Sequence, residues 1–258
     1  MGGASPVAPT GRLAVIGGSG LYSMEGLHSR ESHLVDTPYG LTSGPVTTGY
    51  LDGEAVVFLA RHGEEHSVAP HLINYRANIW ALAEAGAERI LAVCSVGGIG
   101  VECVPGTLVL PDQIIDYTWG REQTFVEAGD PVAHTDFTQP YSAGLRARVI
   151  EVLEAMDANF VPNGTYAATQ GPRFETAAEI NRLARDGCSV VGMTGMPEAV
   201  LARELEIPYA AVCPVGNLAA GISPAELSME DVIDAVTPAL GHIPPLVTGL
   251  LGGGAPAG

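Results

Sequence analysis

Apolar positions along the chain come in short bursts separated by glycine, proline and polar clusters. In the first half, four such bursts read as strands: Leu13–Ile16, Ala55–Ala60, Ile90–Val93 and Thr107–Leu110. Two stretches carry a helical spacing. One runs from about Asn74 to Ala85, after Pro70 and closed near Gly86; the other from about Ala143 to Met156. The second half alternates more clearly. Thr165–Thr169 reads as a strand, Glu175–Arg185 as a helix stopped by Gly187, and Ser189–Val191 as a short strand. Pro197–Glu206 follows as a helix with proline in its first turn, then Pro208–Val215 as a strand. Ser228 with Asp231 resembles a capping box opening a last helix, which Pro238, Pro244 and Pro245 must kink or break. Strands alternating with helices of this length predict an α/β fold, with a mixed or largely parallel central sheet flanked by helices.

Between residues 12 and 251 there is no linker, charge block or internal repeat, so the pattern predicts a single domain. Residues 1–11 and 252–258 read as flexible ends. The 258 residues are 47% hydrophobic, which excludes a disordered chain; a domain of this length buries roughly 70% of its unfolded surface. Charge narrows the field further. Lys+Arg is 12 against Asp+Glu 29, a net charge of −17. A polyanion is repelled at long range, so a nucleic-acid binder of the basic type is excluded, and a small anion must be held by a local cluster of donors. No apolar run reaches the ~20 residues that span a bilayer. Met1 to Thr10 lacks the basic start of a secretory signal. Cys94, Cys103, Cys188 and Cys213 form no CxxC pair and read as reduced, buried thiols of a cytoplasmic protein.

In open α/β sheets ligands gather beyond the carboxyl ends of strands. Leu13–Ile16 runs into Gly17-Gly18-Ser19-Gly20, either a tight turn or an anion cradle. A dinucleotide fingerprint is incomplete, since Ser23 stands where its third glycine belongs, and no Walker lysine is present. The second strand ends in Arg61-His62-Gly63, where the guanidinium is either a surface ion-pair partner or a two-pronged clamp for an oxyanion. His62 to His66 also matches an inverted zincin spacing. That metal site needs both histidines on one helix face, whereas this segment leaves a strand through Gly63 and meets Pro70, so no metal is expected. Cys94-Ser95-Val96-Gly97-Gly98 is a second glycine-rich turn. Gly192-Met193-Thr194-Gly195 is a third, entering a helix whose unpaired N–H groups favour an anion. Three hydroxyl-bearing turns and an arginine point to a phosphate or sulfate site. Phe174, Glu175 and Asn217 can hold a planar heterocycle by stacking and edge hydrogen bonds. The local alternative makes Glu175 a first-turn acid and Asn217 a turn former.

Ile16-Gly-Gly-Ser-Gly-Leu21, Thr37-Pro-Tyr-Gly40, Arg61-His-Gly63, Asn74-Tyr-Arg-Ala-Asn-Ile-Trp-Ala-Leu82, Gly171-Pro-Arg-Phe174 and Gly192-Met-Thr-Gly-Met-Pro-Glu198 resemble the trimeric purine nucleoside phosphorylases. The likeness is strongest to their methylthioadenosine phosphorylase branch and runs from about Arg12 to Ile233. The resemblance implies phosphorolysis of a nucleoside, with inorganic phosphate as co-substrate, no cofactor and no metal. It also implies a homotrimer in which His134 reaches a neighbour's pocket. By the same resemblance, Ser19, Arg61, His62, Ser95 and Thr194 form the phosphate site. Met193 meets the ribose hydroxyls through its backbone N–H, and Phe174 lies beside the base. Asn217 stands where adenine-specific members carry an aspartate, and Ala219 replaces a second one. Glu175 replaces a serine and matches the Phe-Glu-Thr of members acting on inosine and guanosine.

The departures agree chemically. An asparagine can donate to O6 of a 6-oxopurine and accept from the N7–H that develops as the bond breaks, while Glu175 accepts from N1–H. Adenine would set its bare N1 against Glu175. Each mismatched buried polar group costs about 1–3 kcal/mol, so a 6-oxopurine is expected. Met229 and Val232, by resemblance, line the 5′ pocket, where their apolar side chains suit a methylthio group; alternatively they are core positions of the last helix. The expected reaction converts S-methyl-5'-thioinosine to hypoxanthine and 5-methylthioribose 1-phosphate. Its rivals are a methylthioadenosine phosphorylase and a general inosine or guanosine phosphorylase. Outside this class stand a dehydrogenase, a metallohydrolase and a non-catalytic nucleoside-binding protein.

Overall fold

A computed structural model describes residues 11–18, 21, 26–63, 66–223 and 229–252. Its strands in chain order are β1 (Leu13–Gly17), β2 (His28–His33), β3 (Asp36–Thr37), β4 (Gly40–Leu41), β5 (Val46–Leu51), β6 (Glu54–Ala60) and β7 (Arg89–Val93), followed by β8 (Val96–Gly98), β9 (Leu108–Val109), β10 (Gln113–Asp116), β11 (Phe160–Val161), β12 (Thr165–Ala168), β13 (Val190–Gly192) and β14 (Tyr209–Leu218). The helices are α1 (Tyr75–Glu84), α2 (Ala143–Ala155), α3 (Ala177–Arg185), α4 (Gly195–Glu204), α5 (Met229–Leu240) and α6 (Ile243–Leu251).

Among the described residues one sheet runs in the order β10-β12-β13-β8-β14-β7-β1-β6-β5-β2, with β9 joined to β14 and β11, and β3–β4 apart. The centre is parallel: β1 pairs β6 and β7, and β14 pairs β7 and β8, all in parallel. The β13–β8, β5–β6 and β2–β5 pairs are antiparallel, so the expected mixed sheet is present. Central strands such as β1 are buried on both faces and so read as unbroken apolar runs.

Strand side chains alternate between two apolar layers. Ala14, Ile16, Val57, Leu59, Ile90 and Ala92 pack with Tyr75, Ile79 and Leu82 of α1 and Ala199, Leu201 and Ala202 of α4. Leu13, Val15, Val56, Phe58, Leu91 and Val93 pack with α2, α5 and α6 on the opposite face. Helices therefore cover both sides, and the carboxyl ends of the parallel strands are left to form a site.

Helix starts follow local chemistry. Asn74 accepts from the Ala77 N–H at 3.1 Å to cap α1, and Ser142 caps α2. The expected terminal helix is two helices. Pro238 is accommodated inside α5, and Pro244 and Pro245 occupy the first turn of α6, where no intrahelical N–H is required. Ser228 of the expected capping box lies outside the described residues, as do 1–10 and 253–258 of the two ends. All four cysteines are buried and free. Among the described residues no helix is long and apolar enough to cross a membrane.

Candidate active site

The carboxyl ends of β1, β6, β7, β13 and β14 open onto one cavity of about 460 Å³. Arg61, His62, Ser95, Phe174, Glu175, Met193, Thr194 and Asn217 all border it. Residues scattered over more than 150 positions are thus brought to one place. Ser19 lies outside the described residues. Met229 and Val232 belong to α5, but their side chains are likewise outside the description. His134 is exposed and is not among the residues that line this cavity.

Gly18, at the end of β1, permits a close approach. A Cβ there would lie 2.5 Å from the Val93 carbonyl oxygen and 3.0 Å from Arg61 Nη1. Arg61 itself is 1% exposed. The clamp expected to grip an anion is closed on Glu198: Nε donates to one carboxylate oxygen, and Nη2 donates to the other at 2.9 Å. Nη1 donates to the Val93 carbonyl at 2.8 Å, and Nη2 also meets Cys94 Sγ at 3.4 Å. A guanidinium has five N–H groups, so at most one remains for a ligand. Burial opposes the Arg61 charge, but Glu198 outweighs it and holds the group firmly protonated. Glu198 is fully buried and accepts from the Tyr209 hydroxyl at 3.0 Å.

His62 Nδ1 lies 2.9 Å from the Val68 carbonyl oxygen. A carbonyl only accepts, so Nδ1 carries the hydrogen and Nε2 is a bare acceptor. Burial first, then the neighbouring Arg61 charge, lowers its pKa to about 3, so the ring is neutral near pH 7. It stacks on His66 at 4.2 Å, whose pKa burial also lowers. His62 sits in a turn and His66 has a φ of 57°, so the two do not share a helix face as the zincin spacing requires. Among the described residues no group of three or more metal-ligating side chains is assembled.

One sequence-based expectation is corrected at the other turns. The Cys94–Gly98 turn is a turn only at its start, because Val96–Gly98 forms β8 between β13 and β14. At the third turn the N–H groups of Thr194 and Gly195 point at the Tyr166 hydroxyl oxygen at 3.3 and 3.4 Å.

Glu175 lies outside α3. Thr176 caps that helix in a reciprocal box with Glu179, which is the true first-turn acid and also pairs with Arg173 at 2.8 Å. Glu175 therefore has no helix-start duty and faces the cavity, with Thr169 Oγ1 donating to its Oε1 at 2.6 Å. Asn217 is within β14 rather than in a turn beyond it. It follows a register shift between Val215 and Asn217, and its Nδ2 donates to the Leu218 carbonyl at 2.7 Å. Ala219 lines the cavity beside it.

The site also holds residues that a reading of the sequence misses. Glu198 had a legible signal, as a lone acid within the apolar run of α4 that burial obliges to pair. Arg121 had none. Its Nη1 donates to the carbonyls of Met193 at 2.8 Å and Met196 at 2.6 Å, and lies 3.1 Å from the Tyr75 hydroxyl. Its Nη2 reaches the carbonyls of Gln170 at 2.9 Å and Thr169 at 3.3 Å. One side chain thus ties together the loops that carry Glu175 and Met193.

The chain is similar to known proteins over nearly its whole length. The family model of the phosphorylase superfamily matches residues 12–251. The chain is 53% identical over 237 residues to a probable S-methyl-5'-thioinosine phosphorylase of Xanthomonas campestris pv. campestris, covering 91% of this chain and 95% of the relative. It is 48% identical over 229 residues to the 6-oxopurine nucleoside phosphorylase of Pyrococcus furiosus, covering 86% and 85%. Among solved structures, methylthioadenosine phosphorylase from Schistosoma mansoni in complex with adenine superposes with a TM-score of 0.87 at 27% identity, covering 93% of this chain and 90% of that one.

Proposed function

The chain belongs to the phosphorylase superfamily, and from that premise we propose that it cleaves 6-oxopurine nucleosides with inorganic phosphate. S-methyl-5'-thioinosine is the foremost substrate, giving hypoxanthine and 5-methylthioribose 1-phosphate. The enzyme is a pentosyltransferase. The observation that carries the base preference is the presence of Glu175, Asn217 and Ala219 on one cavity. Glu175 accepts from N1–H; Asn217 donates to O6 and accepts from the developing N7–H. The names of the relatives from Xanthomonas and Pyrococcus support the same class.

In the reaction a phosphate oxygen attacks the anomeric carbon as the glycosidic bond loosens, and the ribosyl ring becomes oxocarbenium-like. The phosphate charge stabilises that cation, and Asn217 stabilises the departing purine. No covalent enzyme intermediate, metal or cofactor is invoked. At the phosphate end, Ser19, Ser95 and Thr194 supply hydroxyl donors. Arg61 contributes its remaining N–H, its charge being balanced by Glu198. Neutral His62 offers its bare Nε2 as an acceptor to the hydroxyl of a monohydrogen phosphate. Met193 and Phe174 hold the ribose and the base, and Met229 and Val232 shape the 5′ end.

The active assembly is a homotrimer whose exposed His134 enters a neighbour's site, and four free cysteines suit a reducing, cytoplasmic setting. The test is a panel of methylthioinosine, inosine, guanosine and methylthioadenosine, each with and without phosphate, on enzyme of measured native mass. Hypoxanthine released only with phosphate, fastest from methylthioinosine and by a three-chain particle, is the expected result. Equal release without phosphate overturns the reading. Faster turnover of inosine would support the general inosine or guanosine enzyme instead.

A further inference from the structure

Thr169 stands immediately after β12, and its Oγ1 lies 2.6 Å from Glu175 Oε1. Thr169 is not among the residues bordering the nucleoside cavity. It lines a separate hollow of about 340 Å³, with Tyr117, Trp119 and Arg173, which Glu175 also borders. Glu175 is thus part of the wall between the two, and the threonine hydroxyl reaches it from the side away from the nucleoside.

The post that carries this hydroxyl is fixed at both ends. The Thr169 N–H donates to the Gly192 carbonyl at 2.8 Å, and its own carbonyl accepts from Arg121 Nη2 at 3.3 Å. The hydroxyl has one hydrogen to give. The Gly192 carbonyl lies 3.3 Å from the same Oγ1, so the closer carboxylate takes it. The nearby cation that competes for Glu175 is Arg173, and both prongs of that guanidinium are engaged by Glu179 at 2.8 Å.

We propose that Thr169 is the specificity-positioning residue of this enzyme: it occupies one oxygen of Glu175 and so presents the other to the N1–H of a 6-oxopurine. This rests on the reading of Glu175 as the N1–H acceptor. A carboxylate anchored at one oxygen loses little freedom on binding the base. An unanchored one must be ordered by the substrate.

The experiment compares Thr169→Val and Thr169→Ser with the unaltered enzyme and with Glu175→Gln. It measures kcat and KM for methylthioinosine, methylthioadenosine and phosphate. Valine keeps the shape and removes the hydrogen bond. It should lower kcat/KM for methylthioinosine roughly tenfold, the size of one charge-assisted hydrogen bond, while leaving methylthioadenosine and the phosphate KM unchanged. Serine should restore the original ratio of the two nucleosides. Thr169→Ala serves if the valine variant does not fold. An unchanged ratio in Thr169→Val, beside a lowered ratio in Glu175→Gln, overturns the role of Thr169 and leaves that of Glu175 standing. An unchanged ratio in both removes Glu175 as selector as well. A uniform loss on both nucleosides and phosphate, with a lower melting temperature, makes Thr169 merely structural and also overturns the proposal.

Discussion

Arg61 is among the largest fully buried side chains of the protein, and it is tolerated there because Glu198 meets it with two oxygens. Glu198→Gln keeps the shape but strands a buried guanidinium against a neutral amide, and should lower unfolding stability by about 3–5 kcal/mol in urea titrations. A loss below ~1 kcal/mol would mean that Cys94 and the Val93 carbonyl suffice. His62 gives the opposite kind of signature. Its pKa in the folded protein is lowered from 6.5 to about 3, so the fold binds the neutral ring. Above pH 6.5 this preference has no effect on stability. As pH falls from 6.5 toward 3, the unfolded chain takes up a proton that the folded ring refuses, and stability drains by about 1.4 kcal/mol per pH unit. His62→Asn should flatten that slope in a pH series of denaturation midpoints; an unchanged slope would place the acid sensitivity elsewhere. Sequence made Arg61 and His62 visible because a guanidinium and an imidazole closing an apolar run are conspicuous. It hid Thr169 and Arg121 because their partners, Glu175 and four main-chain carbonyls, are set by loop paths that composition does not encode.

At the level of elements, legibility followed burial. The strands β1, β6, β7 and β14, apolar over most of their length, were readable to within a few residues. β2 was not, because all six of its residues are exposed and only pairing with β5 makes it a strand. β8 reads as a turn in sequence because two of its three residues are glycines. Gly98 is required by packing, since a Cβ there would fall 1.7 Å from the Cys103 carbonyl oxygen. The loops after β12 and β13 depend on Arg121 rather than on their own residues. Arg121→Ala should raise amide hydrogen exchange in residues 169–176 and 192–196 while leaving α2 protected. Nucleoside kcat/KM should fall on the order of 100-fold, the loss expected when several buried carbonyls lose a charged donor. Unchanged exchange in both loops would show that they hold themselves.

Across the whole molecule, segments from both halves of the chain deliver their strand ends to one cavity. The turns and, by resemblance, their meeting were legible in sequence, and the strand order is what brings them together. The net charge of −17 offers no long-range help to an anionic co-substrate, and inside the cavity Arg61 is balanced by Glu198 while His62 is neutral. On the proposed reading selectivity lies at the base end, where Asn217 and Glu175 border the cavity. The most direct measurement is the ratio of kcat/KM for methylthioinosine to that for methylthioadenosine at saturating phosphate. With about 1–3 kcal/mol for each mismatched polar group, the account predicts a ratio of at least about tenfold in favour of the 6-oxopurine. A ratio of one or below, with the adenine nucleoside cleaved as fast or faster, contradicts it.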